Sequence, residues 1–322
     1  MKQQIKIKGT LQKYSTIIIL LAMIMLSAIL SSTFLTTTNI MNVLKQVSVV
    51  TILSFAQCMI IITGEIDLSL GTVAGMAGSY AVILYVATGS LVLSFGFGMI
   101  LGALVGLING LFIAYFKLPS FIVTLAMQSI TFGAITLYTK GNNIYRIGDF
   151  KIFGQKELFG FLPITIFFII LMCIIMIILL RYTKFGRYLY AVGSNSESAV
   201  AAGIQVTKVK WVAFIISGIF AAIGGMVLMG RLNAGIPSEG QGYETDAIMA
   251  TVVGGTSFSG GVGTATGTLV GSLIIGVLNN IMNLLGVEAY TQRIIKGFLI
   301  IIAVLFDVRS KQKKSTIKIM SK

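Results

Sequence analysis

Between residues 162 and 180 the chain reads LPITIFFIILMCIIMIILL, nineteen positions without one charge. As a helix this run rises about 28 Å, close to the ~30 Å hydrocarbon core of a bilayer. Other runs of similar length recur along the chain. Only 11% of its 322 residues are charged, against about 25% in a soluble domain. A water-facing surface for a protein of this size cannot be built from so few charges. The fold class is therefore an all-α polytopic membrane protein, read as one transmembrane domain over 1–322.

The hydropathy pattern predicts about ten transmembrane helices, at 15–34, 43–63, 67–87, 91–116, 121–139, 163–181, 211–230, 245–260, 265–285 and 291–307. The run at 17–29 follows basic residues, as a signal peptide would. It continues into SSTFLTTTN without a small-residue cleavage site, so it reads as a retained anchor helix. The segment 245–260 is short and glycine-rich, but a re-entrant reading would send the basic tail to the outer side. It is therefore expected to cross.

The net charge of +14 is a topology signal. Sixteen of the 24 Lys and Arg residues lie in the N-terminal segment 1–14, at Lys117, in the central loop 183–210 with its flank Arg181, and in the tail 308–322. Basic residues collect in loops that stay cytoplasmic, which places both termini inside. Nucleic-acid binding is excluded as the reason for the charge. The chain has no histidine, removing the commonest general base and metal ligand. Cys58 and Cys173 lie inside apolar runs and read as small buried hydrophobes.

The segment GEIDLSLG, residues 64–71, places two carboxylates between oily runs. Glu65 and Asp67 open one crossing, and Glu244 and Asp246 open another. Two readings stand for these four acids: helix capping, favoured by the unpaired N–H groups at a helix start, and gating or ion relay. One crossing after each acidic pair come the related strings GLING (106–110) and GVLNN (276–280). With opposite directions in the membrane, these units read as two inverted five-helix repeats, a feature of transport folds; a chance match of short strings is the alternative.

Gln57, Asn109, Gln128, Asn279, Asn280 and Asn283 fall inside crossings. Amides there must face other helices or water. They either bond helix to helix or line a path for a neutral polar solute. Gly102, Gly106 and Gly110 form GxxxGxxxG, and Gly71/Gly75 and Gly267/Gly271 each form GxxxG, spacings that let helices approach closely. The string VVGGTSFSGGVGTATG lacks the Gly-Lys-Ser/Thr of a phosphate loop, so no ATPase site is expected on this chain. In the central loop, Asn195 or Ser196 caps a short helix, Glu197 lies in its first turn, and Gly203 ends it. Its small residues suit docking by another protein, with a membrane-hugging connector as the alternative.

These pieces have a family likeness. GEIDLSLGTVAGMAG (64–78), GLINGLFIAYFKLPSFIVTLA (106–126), TKFGRYLYAVGSNSESAVAAGI (183–204), GRLNAGIPSEGQGYETDAIMATVVGGTSFSGG (230–261) and GTLVGSLIIGVLNNIMNLLGV (267–287) resemble permease subunits of bacterial ABC importers of the ribose/xylose/galactoside type. The resemblance implies a bacterial inner-membrane protein that pairs with a second copy or a sister permease. It implies a cytoplasmic ABC ATPase docked on the central loop, and an extracellular or periplasmic solute-binding protein delivering the solute. ATP and Mg would belong to the partner ATPase, with no cofactor on this chain. Asn195, Glu197, Ala199, Ala202 and Gly203 would form the coupling helix. Two positions depart from the family pattern: Glu65 stands where glycine is frequent, and Val262 where lysine or arginine is common. A nucleoside importer of the same type, or a transporter working without ATP, are the alternatives in function.

Overall fold

The computed structural model describes residues 2–320, with side chains described from 15 to 305 and at 307 and 309. The side chains of the basic segment 1–14 and of most of the tail 308–322 lie outside the described residues. Thirteen helices follow one another: α1 (Lys2–Leu30), α2 (Thr37–Ile62), α3 (Leu70–Thr88), α4 (Leu91–Gly110), α5 (Ser120–Thr139), α6 (Ile152–Gln155), α7 (Ile164–Ile177), α8 (Lys184–Ser194), α9 (Ser196–Ala201), α10 (Val206–Leu232), α11 (Tyr243–Val253), α12 (Ala265–Leu284) and α13 (Ala289–Met320). A two-stranded hairpin, Glu157–Leu158 with Leu162–Pro163, precedes α7. Both α4 and α7 end in a π-helical turn, Leu111–Tyr115 and Ile178–Tyr182.

Among the described residues, seven helices are long and apolar enough to cross a membrane. The remaining three expected crossings differ. The apolar part of α1 is Ser15–Leu30, and α13 carries a basic end beyond its apolar stretch. Helix α11 has 11 residues and rises about 16 Å, roughly half the hydrocarbon thickness. The crossing expected over 245–260 is thus no continuous helix. Its second half is a turn at 254–264, where glycines favour irregular backbone.

Two helices form the centre. Residues 47–62 of α2 are all buried, as are residues 220–230 of α10. A helix apolar all round belongs inside a bundle. The few hydroxyls on α2 are satisfied locally or by neighbours: Ser54 donates to the Val50 carbonyl at 2.6 Å, and Thr51 and Ser272 of α12 share a bond of 2.7 Å. Helices α3 and α4 pack on α10, while α11 and α12 pack on α2.

The glycine spacings account for how closely these helices approach. A Cβ at Gly102 would meet the carbonyl of Gly218, and one at Gly218 would meet that of Gly102. Gly106 faces Phe214 and Gly271 faces the Ala250 carbonyl in the same manner. The glycine faces of α4 and α12 are therefore used within the chain, between its own helices.

Candidate functional site

One end of the bundle gathers the central loop and the first acidic pair. Helix α2 stops at Ile62, and α3 begins at Leu70 after Ser69. Asp67 is 3% exposed. Its Oδ1 accepts from the Ser69 backbone N at 2.9 Å and from Ser69 Oγ at 2.6 Å. Ser69 Oγ in turn accepts from Asn109 Nδ2 at 3.1 Å. Asp67 thus braces the turn before α3 and links it to α4 through Ser69, which itself makes no side-chain cap bond. Glu65 does neither: its carboxylate pairs with the Lys210 ammonium at the base of α10. The residue that departs from the family pattern has a partner of opposite charge.

At the same end, α8 and α9 fold from the central loop. Asn195 Oδ1 accepts from the Ser198 backbone N at 2.7 Å, an N-cap for α9. Gly203 follows with φ of 80°, a left-handed conformation that suits glycine. Asn195, Glu197, Ala202 and the neighbouring Val200 are exposed. Ala199 is not. At 3% exposure it packs inward with the hydrophobic core, so its methyl group is spent on anchoring α9 rather than on the outer surface. The loop also touches the membrane domain through backbone. Gly193 lies against the Ile62 carbonyl, which accepts from Gly261 N at 2.9 Å, and Tyr190 donates to the Gly263 carbonyl at 2.8 Å. The glycine-rich turn at 254–264 is held from its other side by Asp307. That carboxylate accepts from Ser257 Oγ and Phe258 N, both at 3.0 Å.

The second acidic pair sits elsewhere, in a cavity of about 700 Å³. Gln128 on α5, Glu244 and Asp246 on α11, Asn279 and Asn283 on α12, and Lys296 on α13 all line it. Glu244 accepts from the N–H of Gly242, the N-cap of α11, at 3.0 Å, and from Gln128 Nε2 at 3.2 Å. It reaches back to cap the helix, as a first-turn glutamate does. Asp246 does not cap. Its Oδ2 accepts from Asn279 Nδ2 at 2.9 Å and from Lys296 Nζ at 3.0 Å. Lys296 was missed from sequence, although an aspartate inside an apolar run calls for a cationic partner, and a lysine five positions inside the last crossing supplies one.

Two expected path residues are not in this cavity. Gln57 and Asn109 are 0% and 1% exposed. Gln57 stands on the part of α2 buried all round, and Asn109 Nδ2 donates to Ser69 Oγ; both lie within the helix packing, away from this cavity. Asn280 also belongs to packing: its amide and that of Asn39 exchange bonds of 2.8 and 3.0 Å, tying the end of α12 to the start of α2.

Residues 39–304 match the family model described as branched-chain amino acid transport system / permease component. The chain belongs to this permease family. Among the permease's relatives, the ribose import permease protein RbsC of Bacillus subtilis is 40% identical over 95% of this chain and 96% of its own. RbsC of Escherichia coli strain K12 is 34% identical over 93% and 95%. The xylose transport system permease protein XylH of Haemophilus influenzae is 32% identical over 96% and 99%. No solved structure matches the permease. The similarity therefore spans the α2–α3 junction, the central loop and the cavity together.

Proposed function

We propose that the protein is the membrane subunit of an ATP-driven importer for a sugar or similar neutral, hydroxyl-rich solute. The observation that carries this is the cavity's make-up in a chain similar, nearly end to end, to permeases named for ribose and xylose. Its walls hold two acids and two bases, Glu244, Asp246, Arg293 and Lys296, beside six amides. The charges cancel, so the cavity favours neutral polar cargo over ions.

The central loop would receive a cytoplasmic ABC ATPase, with Asn195, Glu197, Ala202 and Gly203 shaping the docking helix and Ala199 rooting it. An external solute-binding protein and a second permease copy or sister chain would complete the assembly, with ATP and Mg on the ATPase. Both termini would be cytoplasmic. Ten crossings arranged as two inverted five-helix repeats fit the parallel bonding of the two units: Asp67 reaches Asn109 through Ser69, and Asp246 reaches Asn279 directly. The carboxylate–amide pairs fall at the matching positions of GEID/YETD and GLING/GVLNN.

The test is co-expression with a candidate ATPase and binding protein, reconstitution in vesicles, and measurement of labelled ribose uptake. Uptake that requires ATP and all subunits is the expected result. Uptake by this chain alone, driven by an ion gradient, would overturn the proposal, while ATP-driven uptake of nucleosides but not sugars would replace the cargo.

A further inference from the structure

Helix α13 is held to the bundle by one narrow stripe, and it packs mainly on α11. Lys296, Ile300, Ala303 and Asp307 follow at steps of four, three and four residues, which puts them on one face over about 16 Å of helix. Ile294, Phe298, Ile301 and Leu305 fall on the opposite face and are exposed. The stripe is apolar in its middle and polar at both ends. Ile300 packs against the cluster of Val50, Met249, Ala250 and Ile275, and Ala303 against that of Ile61, Ile248 and Val252. Lys296 pairs with Asp246 at one end. At the other end a single oxygen, Asp307 Oδ2, accepts from Ser257 Oγ and from Phe258 N, each at 3.0 Å.

The two ends of the stripe face different parts of the molecule. Lys296, with Gln292 and Arg293, lines the cavity. Asp307 grips the glycine-rich turn, whose other side meets α8: Tyr190 donates to the Gly263 carbonyl, and Gly193 lies against Gly261. The turn thus stands between the central loop and the helix that supplies one cavity wall. Gly255, Gly260 and Gly261 all have left-handed φ there, so the turn has few side chains with which to hold a neighbour, and the Asp307 bonds supply the tie. We propose that Asp307 is a positioning residue for transport. It fastens α13 to the turn, so that a shift of the central loop carries α13 and moves the cavity wall at Gln292, Arg293 and Lys296. This role rests on the importer reading above and adds the element through which the loop reaches the cavity. Because one oxygen takes both bonds, the negative charge is not required. An asparagine carbonyl has two lone pairs and can accept the same two donors, whereas alanine accepts neither.

The test measures ATP hydrolysed per labelled ribose moved in vesicles holding the complete importer, with assembly read by size-exclusion chromatography. Asp307→Ala should raise that ratio at least about fivefold while the complex still assembles, because the loop then moves without carrying α13. Amide exchange around Phe258 should speed up in the same variant, marking the released turn. Asp307→Asn keeps an accepting oxygen and should hold the ratio within about twofold of the parent. If the alanine variant fails to accumulate, Ser257→Ala removes one of the two bonds and should raise the ratio at least about twofold. An alanine variant with faster exchange at Phe258 but the parent's ratio overturns the proposal, since the bonds then only hold the turn in shape. Equal damage from alanine and asparagine overturns it as well. Either result leaves the importer reading intact. A parent complex whose uptake needs no ATP overturns that reading, and the role of Asp307 with it.

Discussion

At the scale of single residues, a buried polar side chain in this protein does one of two jobs, and its partners decide which. Asn39 and Asn280 exchange hydrogen bonds between the start of α2 and the last part of α12. Such interhelical bonds in membrane proteins are worth about 0.6 kcal/mol on average and up to about 1.7. Asn280→Ala should therefore destabilise by about 1 kcal/mol. A double-mutant cycle with Asn39→Ala in a detergent unfolding titration should show most of that as coupling between the two positions; additive losses would mean that the pair does not act as a unit. Asn195 works within one segment instead. Removing its cap bond by Asn195→Ala should cost about 1 kcal/mol locally, detectable as faster amide exchange at 196–201 while exchange in α10 is unchanged. The acids at 65 and 67 also have local partners, Lys210 for one and Ser69 for the other.

At the scale of elements, contacts between backbones set how motion can pass through the bundle. Helix α8 meets the end of α2 at Gly193, and α2 meets the glycine-rich turn at Gly261. A displacement of the central loop must therefore push on both. Gly193→Leu would force α8 away from the Ile62 carbonyl, and ATP-driven uptake should fall at least about tenfold while the protein still reaches the membrane; undiminished uptake would show that force travels another way. The α4–α10 interface is more extensive and is closed by glycines on both helices. Gly218→Leu places a side chain where the Gly102 carbonyl sits, so the expected outcome is loss of a monodisperse peak in size-exclusion chromatography, not a selective loss of transport.

At the scale of the whole molecule, the geometry sorts loops into two ends. Val200 and Val262, exposed by 61% and 52%, share one end through the contacts of α8 with the 254–264 turn, whereas Phe159 and Tyr290, 88% and 76% exposed, lie across α7 and α13 from it. In a chain with Cys58 and Cys173 replaced, single cysteines at 200 and 262 should react with an impermeant thiol reagent only in inside-out vesicles. Cysteines at 159 and 290 should react only in intact cells. Labelling of position 200 from outside would invert the topology on which the proposed ATPase docking depends.

Hydropathy and charge determined, without any structure, that this chain is a helical membrane protein, where most of its helices fall, and that its central loop holds a short capped helix. These are local or additive properties: apolar length sets a crossing, and an asparagine before a short helix caps it whatever surrounds it. The glycine spacings were visible too, but only the fold showed that their partners are Gly218, Phe214 and Ala250 within the same chain. The polar residues were legible as a set and not as roles. Gln57 and Asn109 read the same in sequence as Gln128 and Asn279, yet α2 and the Ser69 bond bury the first two, while a cavity receives the others. Lys296 became a partner of Asp246 only when α13 was laid beside α11, fifty residues away in sequence. Which side chains meet is fixed by helix packing across the bundle, and packing depends on all the helices at once, so no local stretch of sequence encodes it.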